Sequence, residues 1–277
     1  MEGYEKRGYL NSDFRLFHLT DTKRQDFEYH YHEFDKIIIF IQGNVTYKIE
    51  GRTYQLQPYD IVLVSHSDIH KPIIDPEVKY ERIIVYLSPG FINSYKTEEY
   101  DLSICFQKAK EQSSDVLRIH APQKSSLYKS ISDLEYACTH DGYAKDLYCK
   151  VVFLQFIIQL NRAALTGRVD YLPSDSSDHR IQTIMSYISN HLTEDLSIDS
   201  IAAGCYISRY HLMRIFKEAT GYTLGAYITE KRLILAKDKI ANGATVLEAC
   251  MDSGFRNYST FSRAYKKYFQ NTASSTD

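Results

Sequence analysis

The last hundred residues repeat themselves, and this repeat limits the possible folds more than any other feature of the chain. Arg214-Ile215-Phe216-Lys217 and Arg263-Ala264-Tyr265-Lys266 share the order Arg, apolar, aromatic, Lys at an offset of 49 residues. At the same offset Ser208 corresponds to Asn257. Both residue types cap helices by accepting a hydrogen bond from a first-turn N–H. A short helical segment precedes each copy, Ile198–Gly204 and Val246–Ser253. Each copy therefore reads as a short helix, a tight turn and a capped second helix, the helix-turn-helix arrangement.

The faces of the second helices suggest what they are for. In the first copy Leu212, Ile215, Phe216 and Ala219 share one side, while Tyr210, Met213, Arg214 and Lys217 form the opposite stripe at i, i+3, i+4 and i+7. In the second copy Phe261, Ala264, Tyr265 and Tyr268 lie inside and Ser259, Ser262, Arg263 and Lys266 outside. The outer stripes carry donors and cations and no acid. That suits a helix in the major groove of DNA, where phosphates and base edges offer acceptors. A basic stripe on one helix is ordinarily a solvated face; the capped duplication is what argues for recognition. Net charge is only −2, so a nucleic-acid site has to be local.

The rest of the chain has a different texture. Phe14–Leu19, Lys36–Ile41, Val45–Glu50, Asp60–Val64 and Val78–Leu87 read as short strands, with turn chemistry at Gly43-Asn44, Glu50-Gly51 and Pro58-Tyr59-Asp60. Closely spaced short strands predict a sandwich or small barrel. Ser88-Pro89 opens a short helix through Tyr95. Helical spacing of Leu127, Ile131 and Leu134 and an apolar helix from about Lys145 to Leu165 make a hairpin around Asp141-Gly142. Its apolar surface either packs on the barrel or forms a dimer interface, and the residues leave both open. Gly167, Pro173 and the polar run Ser174–Asp178 read as a linker. Beyond it, helices are predicted at 180–192, 197–204, 208–219, 223–241, 245–252 and 257–269.

Apolar runs such as Ile37–Ile41 and Val151–Ile158 are too short to cross a bilayer, and Met1–Leu10 is charged with no apolar core, so neither membrane nor secretory signal is expected. Five cysteines without a CxxC pair fit a reducing cytoplasm better than a disulfide framework. No nucleophile–base motif, P-loop or dinucleotide fingerprint is present, so an enzyme is not expected.

Leu196–Phe269 resembles the DNA-binding domain of AraC-type transcription regulators. The resemblance is carried by Gly254-Phe255, Phe261-Ser262-Arg263, Tyr265-Lys266 and the linking helix with Arg232 and Ala236. It implies two helix-turn-helix units held by a central helix. Tyr210, Met213 and Arg214 would then read bases in one unit, and Tyr258, Ser259, Ser262 and Arg263 in the other. Lys217, Lys266 and Lys267 would reach phosphate. It further implies double-stranded promoter DNA, RNA polymerase and a second copy of the chain as partners, with activation as the outcome. This sequence departs from the family pattern in three places. Tyr206 stands where a glycine is common, which predicts a less tight first turn. Met213 replaces a polar residue. The Gly, Pro and short helix that normally follow Phe269 are replaced by Gln270–Asp277.

His30-x-His32, Lys36, Gly43, Pro58-x-Asp60 and His70 resemble the cupin barrel that often precedes this domain. A cupin metal site uses H-x-H, a carboxylate about four residues on, and a later His. Here Lys36 holds the carboxylate position, and Tyr59 replaces the glycine usual before Asp60. A lysine opposes a divalent metal. The reading is therefore a small-molecule effector pocket using His30, His32, Lys36 and His70, with no metal and no cofactor. The lysine favours an anionic ligand, while His and Tyr suit a sugar or related metabolite. A metal-dependent cupin enzyme with an accessory helical domain is the alternative, and structural histidines with no ligand a third reading. The expected organisation is a cupin-like antiparallel barrel over 1–122, a helical hairpin for dimerisation over 123–170, a linker over 171–179 and an all-α domain with two helix-turn-helix motifs over 180–277.

Overall fold

The computed structural model describes residues 10, 12–21, 27–120, 125–174 and 179–273. They fall into two compact units, one before and one after residues 175–178. Residues 175–178 of the predicted linker, the opening nine residues and the tail from 274 lie outside the described residues.

The first unit contains two antiparallel sheets. One has six strands in the order β1 (Phe14–Asp21), β7 (Tyr80–Leu87), β2 (Asp35–Gln42), β5 (Ile61–Val64), β8 (Val116–Ile119) and β9 (Val169–Tyr171). The other has β4 (Arg52–Gln55), β3 (Val45–Ile49) and β6 (His70–Ile74). Alternation along β2 explains its unbroken apolar text. Ile38 and Phe40 turn inward with Val45, Tyr47 and Ile49 of the smaller sheet. Ile37 and Ile39 turn outward, under helices. A strand buried on both faces has no solvent side on which to show polar residues. The register pairs Lys36 with Tyr86, Ile38 with Ile84 and Phe40 with Arg82, so the strand's even positions place Lys36 on the inner side too.

Four helices cover the outer face of the large sheet: α1 (Pro89–Asn93), α2 (Ile104–Glu111), α3 (Ser126–Thr139) and α4 (Lys145–Leu165). Leu127, Ile131 and Leu134 of α3 and Val152, Phe153, Phe156, Ile157 and Leu160 of α4 join the sheet residues in one core. At about 25 cal/mol per Å² of apolar area, this burial explains why the hairpin needs the sheet. Asn161 ties α2 to α4, its amide donating to the Leu102 carbonyl and its oxygen accepting from Cys105 N–H, both at 2.9 Å. The hairpin's apolar surface thus packs on the barrel; the face of α4 turned away from the sheet is a separate matter. One cysteine departs from the expectation of reduced thiols: Cys149 is disulfide-bonded. Cys105, Cys205 and Cys250 are free.

The second unit is helical throughout: α5 (His179–Asn190), α6 (Ile198–Gly204), α7 (Arg209–Thr220), α8 (Leu224–Ala241), α9 (Val246–Asp252) and α10 (Tyr258–Phe269). The expected fold class, antiparallel sheets followed by an all-α part with two helix-turn-helix motifs, is what the chain adopts. Helices α6 and α9 both begin with a capping box, Ser197/Ser200 and Thr245/Glu248. Leu233, Ala236 and Ile240 of α8 pack with Ala249, Cys250, Phe261 and Tyr265 of the second motif. On the first motif's side, Tyr227 of α8 meets Phe216 edge-on, ring centroids 5.3 Å apart. After α10, Gln270 closes the helix at φ +61° and Ala273 packs into the same core as Phe261.

Candidate functional site

Helices α7 and α10 present their outer stripes as expected from spacing. Leu212, Ile215 and Phe216 of α7 and Phe261 and Tyr265 of α10 are buried, while Tyr210, Met213, Arg214, Lys217, Tyr258, Ser259, Arg263, Lys266 and Lys267 are exposed and Ser262 is half-buried. Ser208 accepts from His211 N–H and Asn257 from Thr260 N–H, so both caps form.

The two arginines of the outer stripes are held differently. Arg214 donates to both carboxylate oxygens of Glu218, at 3.0 and 3.1 Å, one turn along its own helix. Arg263 donates its Nε–H to the Ser259 backbone carbonyl at 3.2 Å, and among the described residues no carboxylate pairs with it. An acid thus adjoins the first stripe. Beside that stripe runs a groove lined by Tyr210, Met213, Arg214 and Lys217 of α7, Ile198 of α6, and Thr223, Leu224 and Gly225 at the start of α8. The stripe pattern alone does not point to the α8 start. A signal for it exists in the sequence: Thr223 is the N-cap, accepting from Ala226 N–H. Uncapped first-turn N–H groups and a positive helix end favour anions.

The two turns are one residue different in length. Ser197 and Thr245, the caps of α6 and α9, are offset by 48 residues, whereas Ser208 and Asn257 are offset by 49. The extra residue, Arg256, is exposed and ion-paired with Asp195. Tyr206 and Gly254 occupy matching places after the first helix of each motif, and both have positive φ, +55° and +85°. The first turn is therefore not relaxed by its tyrosine; Tyr206 adopts the left-handed backbone a glycine would supply. Tyr59 does the same at φ +72°. Its ring meets Tyr128 of α3 edge-on at 4.9 Å.

In the first unit, His30, His32, Lys36 and His70 come together. The ligand nitrogens of the three histidines lie within 4.8 Å of one another, and all four residues are buried. His30 and His32 do not sit on a strand. A single bridge, His30 N–H to the His70 carbonyl at 3.1 Å and His70 N–H to the His30 carbonyl at 2.9 Å, holds their segment against β6. Lys36 Nζ donates to His70 Nε2 at 3.1 Å and lies 5.6 Å from the Tyr86 ring centre. Burial, and secondarily the Arg82 guanidinium, bring the Lys36 ammonium down to about 7. Burial, then Lys36, His30 and His32, hold His70 well below the usual histidine range, so it is neutral at pH 7.

Residues 16–148 match the AraC-like ligand binding domain and residues 201–277 a helix-turn-helix domain. Regulatory protein SoxS of Salmonella typhimurium is 35% identical over 95 residues, 34% of this chain and 89% of SoxS. The chain belongs to the AraC-type family of transcription regulators. The right origin-binding protein of Escherichia coli is 37% identical over 95 residues, 33% of this chain, and the match spans only 32% of that protein. Among solved structures, ToxT from Vibrio cholerae with an unsaturated fatty acid bound is 17% identical with a TM-score of 0.39, covering 97% of this chain and 96% of ToxT. As an AraC-type regulator the chain is a DNA-binding protein with a ligand-binding domain, and the family assignment sets aside the cupin-enzyme alternative. Among the described residues no helix is long and apolar enough to cross a membrane.

Proposed function

We propose that this regulator is a cytoplasmic transcription activator that binds promoter DNA through α7 and α10 and answers to a small effector in the first unit. The observation that carries the DNA reading is the pair of capped helices whose inner faces are buried and whose outer stripes, Tyr210–Lys217 and Tyr258–Lys267, are solvent-facing and cationic. Tyr210, Met213, Arg214, Tyr258, Ser259, Ser262 and Arg263 read bases; Lys217, Lys266 and Lys267 hold phosphates. Met213, apolar and exposed, suits contact with a thymine methyl group. Two such helices read major-groove segments about one turn, roughly 10 bp, apart.

The cluster of His30, His32, Lys36 and His70 is the place at which the effector binds, a small polar metabolite such as a sugar. A ligand changes DNA affinity only by preferring one state of the protein over another. Lys36→Ala and His32→Ala therefore abolish the effector response while leaving effector-independent DNA binding intact.

The dimer reading rests on the outward face of α4. Leu147, Val151 and Ile158 are exposed and spaced by four and seven residues, with half-buried Leu154 between them. Leu165 continues the line seven residues on and is 56% exposed. A seam of that period is what two helices share in a coiled-coil contact. Two copies then engage paired half-sites with the gain of a linked second binding event. RNA polymerase is the further partner of an activator bound there.

Footprinting on the promoter regions beside its own gene tests the reading. A protected site with two segments about 10 bp apart supports it; protection without sequence preference refutes it. Lys217→Ala should weaken specific and random DNA alike and flatten the salt slope by about one unit. Light scattering at micromolar concentration should give a dimer that Val151→Glu converts to a monomer.

A further inference from the structure

Three buried imidazoles within reach of one another are a donor set for a borderline divalent ion. The individual residues decide whether such an ion fits. His30 and His70 each have Nδ1 2.8 Å from a backbone carbonyl, of Glu28 and of Asp68. A carbonyl only accepts, so Nδ1 carries the hydrogen in both rings and the lone pair resides on Nε2. Metal-binding histidines are oriented by the same outer hydrogen bond. One ligand nitrogen from each ring lies within 4.8 Å of the others, against the spacing of about 3.4 Å that a tetrahedral ion sets. To this point the cluster fits a metal.

Lys36 turns the site against a cation. Its Nζ, 3.1 Å from His70 Nε2, draws on the one lone pair that His70 can offer a metal. One lone pair serves one electrophile. The lysine is 5% exposed, and its strand is held on both sides, Lys36 pairing with Val64 of β5 and Tyr86 of β7. Among the described residues no carboxylate joins the three histidines to complete a ligand set. A divalent ion would meet the Lys36 amino group at contact distance, already donating to the lone pair that the ion needs.

We propose that the Lys36 amino group, donating to His70 Nε2, is a built-in substitute for a metal ion at the His30–His32–His70 cluster and that it keeps this barrel metal-free. The three histidines are then a latent transition-metal site, closed by one side chain. The covalently tethered donor holds His70 in place and makes the unit independent of metal supply. This role of Lys36 holds whichever effector the regulator answers to.

The test uses the full-length chain with Co²⁺ as the probe, its visible absorption reporting the ligand set and equilibrium dialysis the stoichiometry. Lys36→Met should take up one Co²⁺ per chain, about a hundredfold more tightly than the wild type, because the donor that occupies the His70 lone pair is removed, and with it the repulsion from the protonated fraction of Lys36. Lys36→Gln, which keeps a polar side chain, should do the same and serves if the Met variant does not fold. Adding His32→Ala and His70→Ala to either variant should abolish the uptake. The proposal is overturned if a variant with wild-type circular dichroism takes up no Co²⁺, if the wild type binds it as tightly, or if uptake survives loss of the two histidines.

Discussion

The two helix-turn-helix units share a plan and differ at the turn, where one uses tyrosine and the other glycine for the same left-handed backbone. A Cβ on Gly254 would lie 2.9 Å from Arg232 Nε and 2.9 Å from the Leu192 carbonyl oxygen. Arg232, from the linking helix α8, donates to that carbonyl at 2.8 Å and to the Glu194 carbonyl at 2.6 Å. The second turn is thus pressed against an arginine that satisfies backbone groups just beyond α5. Tyr206, by contrast, is 95% exposed. Sterics demand glycine only where another part of the chain passes close; elsewhere the left-handed conformation costs about 1–2 kcal/mol, which a folded domain can absorb.

The largest effect is therefore expected at the second turn. Gly254→Ala adds backbone strain and a contact that Arg232 or the Leu192 carbonyl must yield to. It should lower the stability of the second unit by about 2–4 kcal/mol. Urea unfolding followed by circular dichroism checks this; a loss under about 1 kcal/mol would show that Arg232 moves aside freely and would erase the contrast between the turns.

On DNA the units should also be unequal. Removing a base-reading arginine costs about 1–3 kcal/mol of specific binding. Arg263→Ala belongs at the upper end of that range, since Arg263 has a backbone carbonyl rather than a carboxylate to leave. Arg214→Ala belongs at the lower end, since Arg214 first has to release Glu218. Each should relax preference in one half of the footprint only. Equal losses from a competition assay would mean that the Glu218 pair does not hold Arg214 back. A direct probe is Glu218→Gln. Exposed ion pairs of this kind are worth roughly 0.2–1 kcal/mol, so freeing Arg214 should tighten binding by that amount, more at low salt, and only on DNA that keeps the first segment. Equal tightening on any DNA would place Arg214 on phosphate, and unchanged affinity would place it off the DNA.

The same contrast shows what the sequence disclosed. Caps, inner faces and outer stripes of α7 and α10 follow from local spacing, so they were legible. The shorter first turn was not, because an offset measured on the recognition helices hides a one-residue insertion, Arg256, that only the caps of α6 and α9 reveal. In the first unit β2, β3 and β7 announced themselves by composition. Strands β4 and β9 are too short and too polar to show a period, and β6 carries Pro72, a residue that argues against a strand. The pairing of β9 with β8, across the whole helical hairpin, is a tertiary fact that no local pattern carries. The histidine cluster was legible as H-x-H plus His70, but the contact that decides its chemistry, Lys36 on His70, needed the register of β2.

A small stability effect is informative about Tyr206. Replacing it with glycine removes the left-handed penalty and, with the ring almost wholly exposed, forfeits no packing. The gain is partly offset because glycine is more disordered in the unfolded chain. The net expectation is a stabilisation of about 0.5–1 kcal/mol for Tyr206→Gly. Specific DNA binding should stay the same, because α7 is positioned by Leu212, Ile215 and Phe216 rather than by the turn's side chain. A stability gain with weaker DNA binding would carry a different lesson. The tyrosine would then be kept against its own backbone preference because its ring touches DNA, and the first turn would be a contact surface where the second is a packing joint.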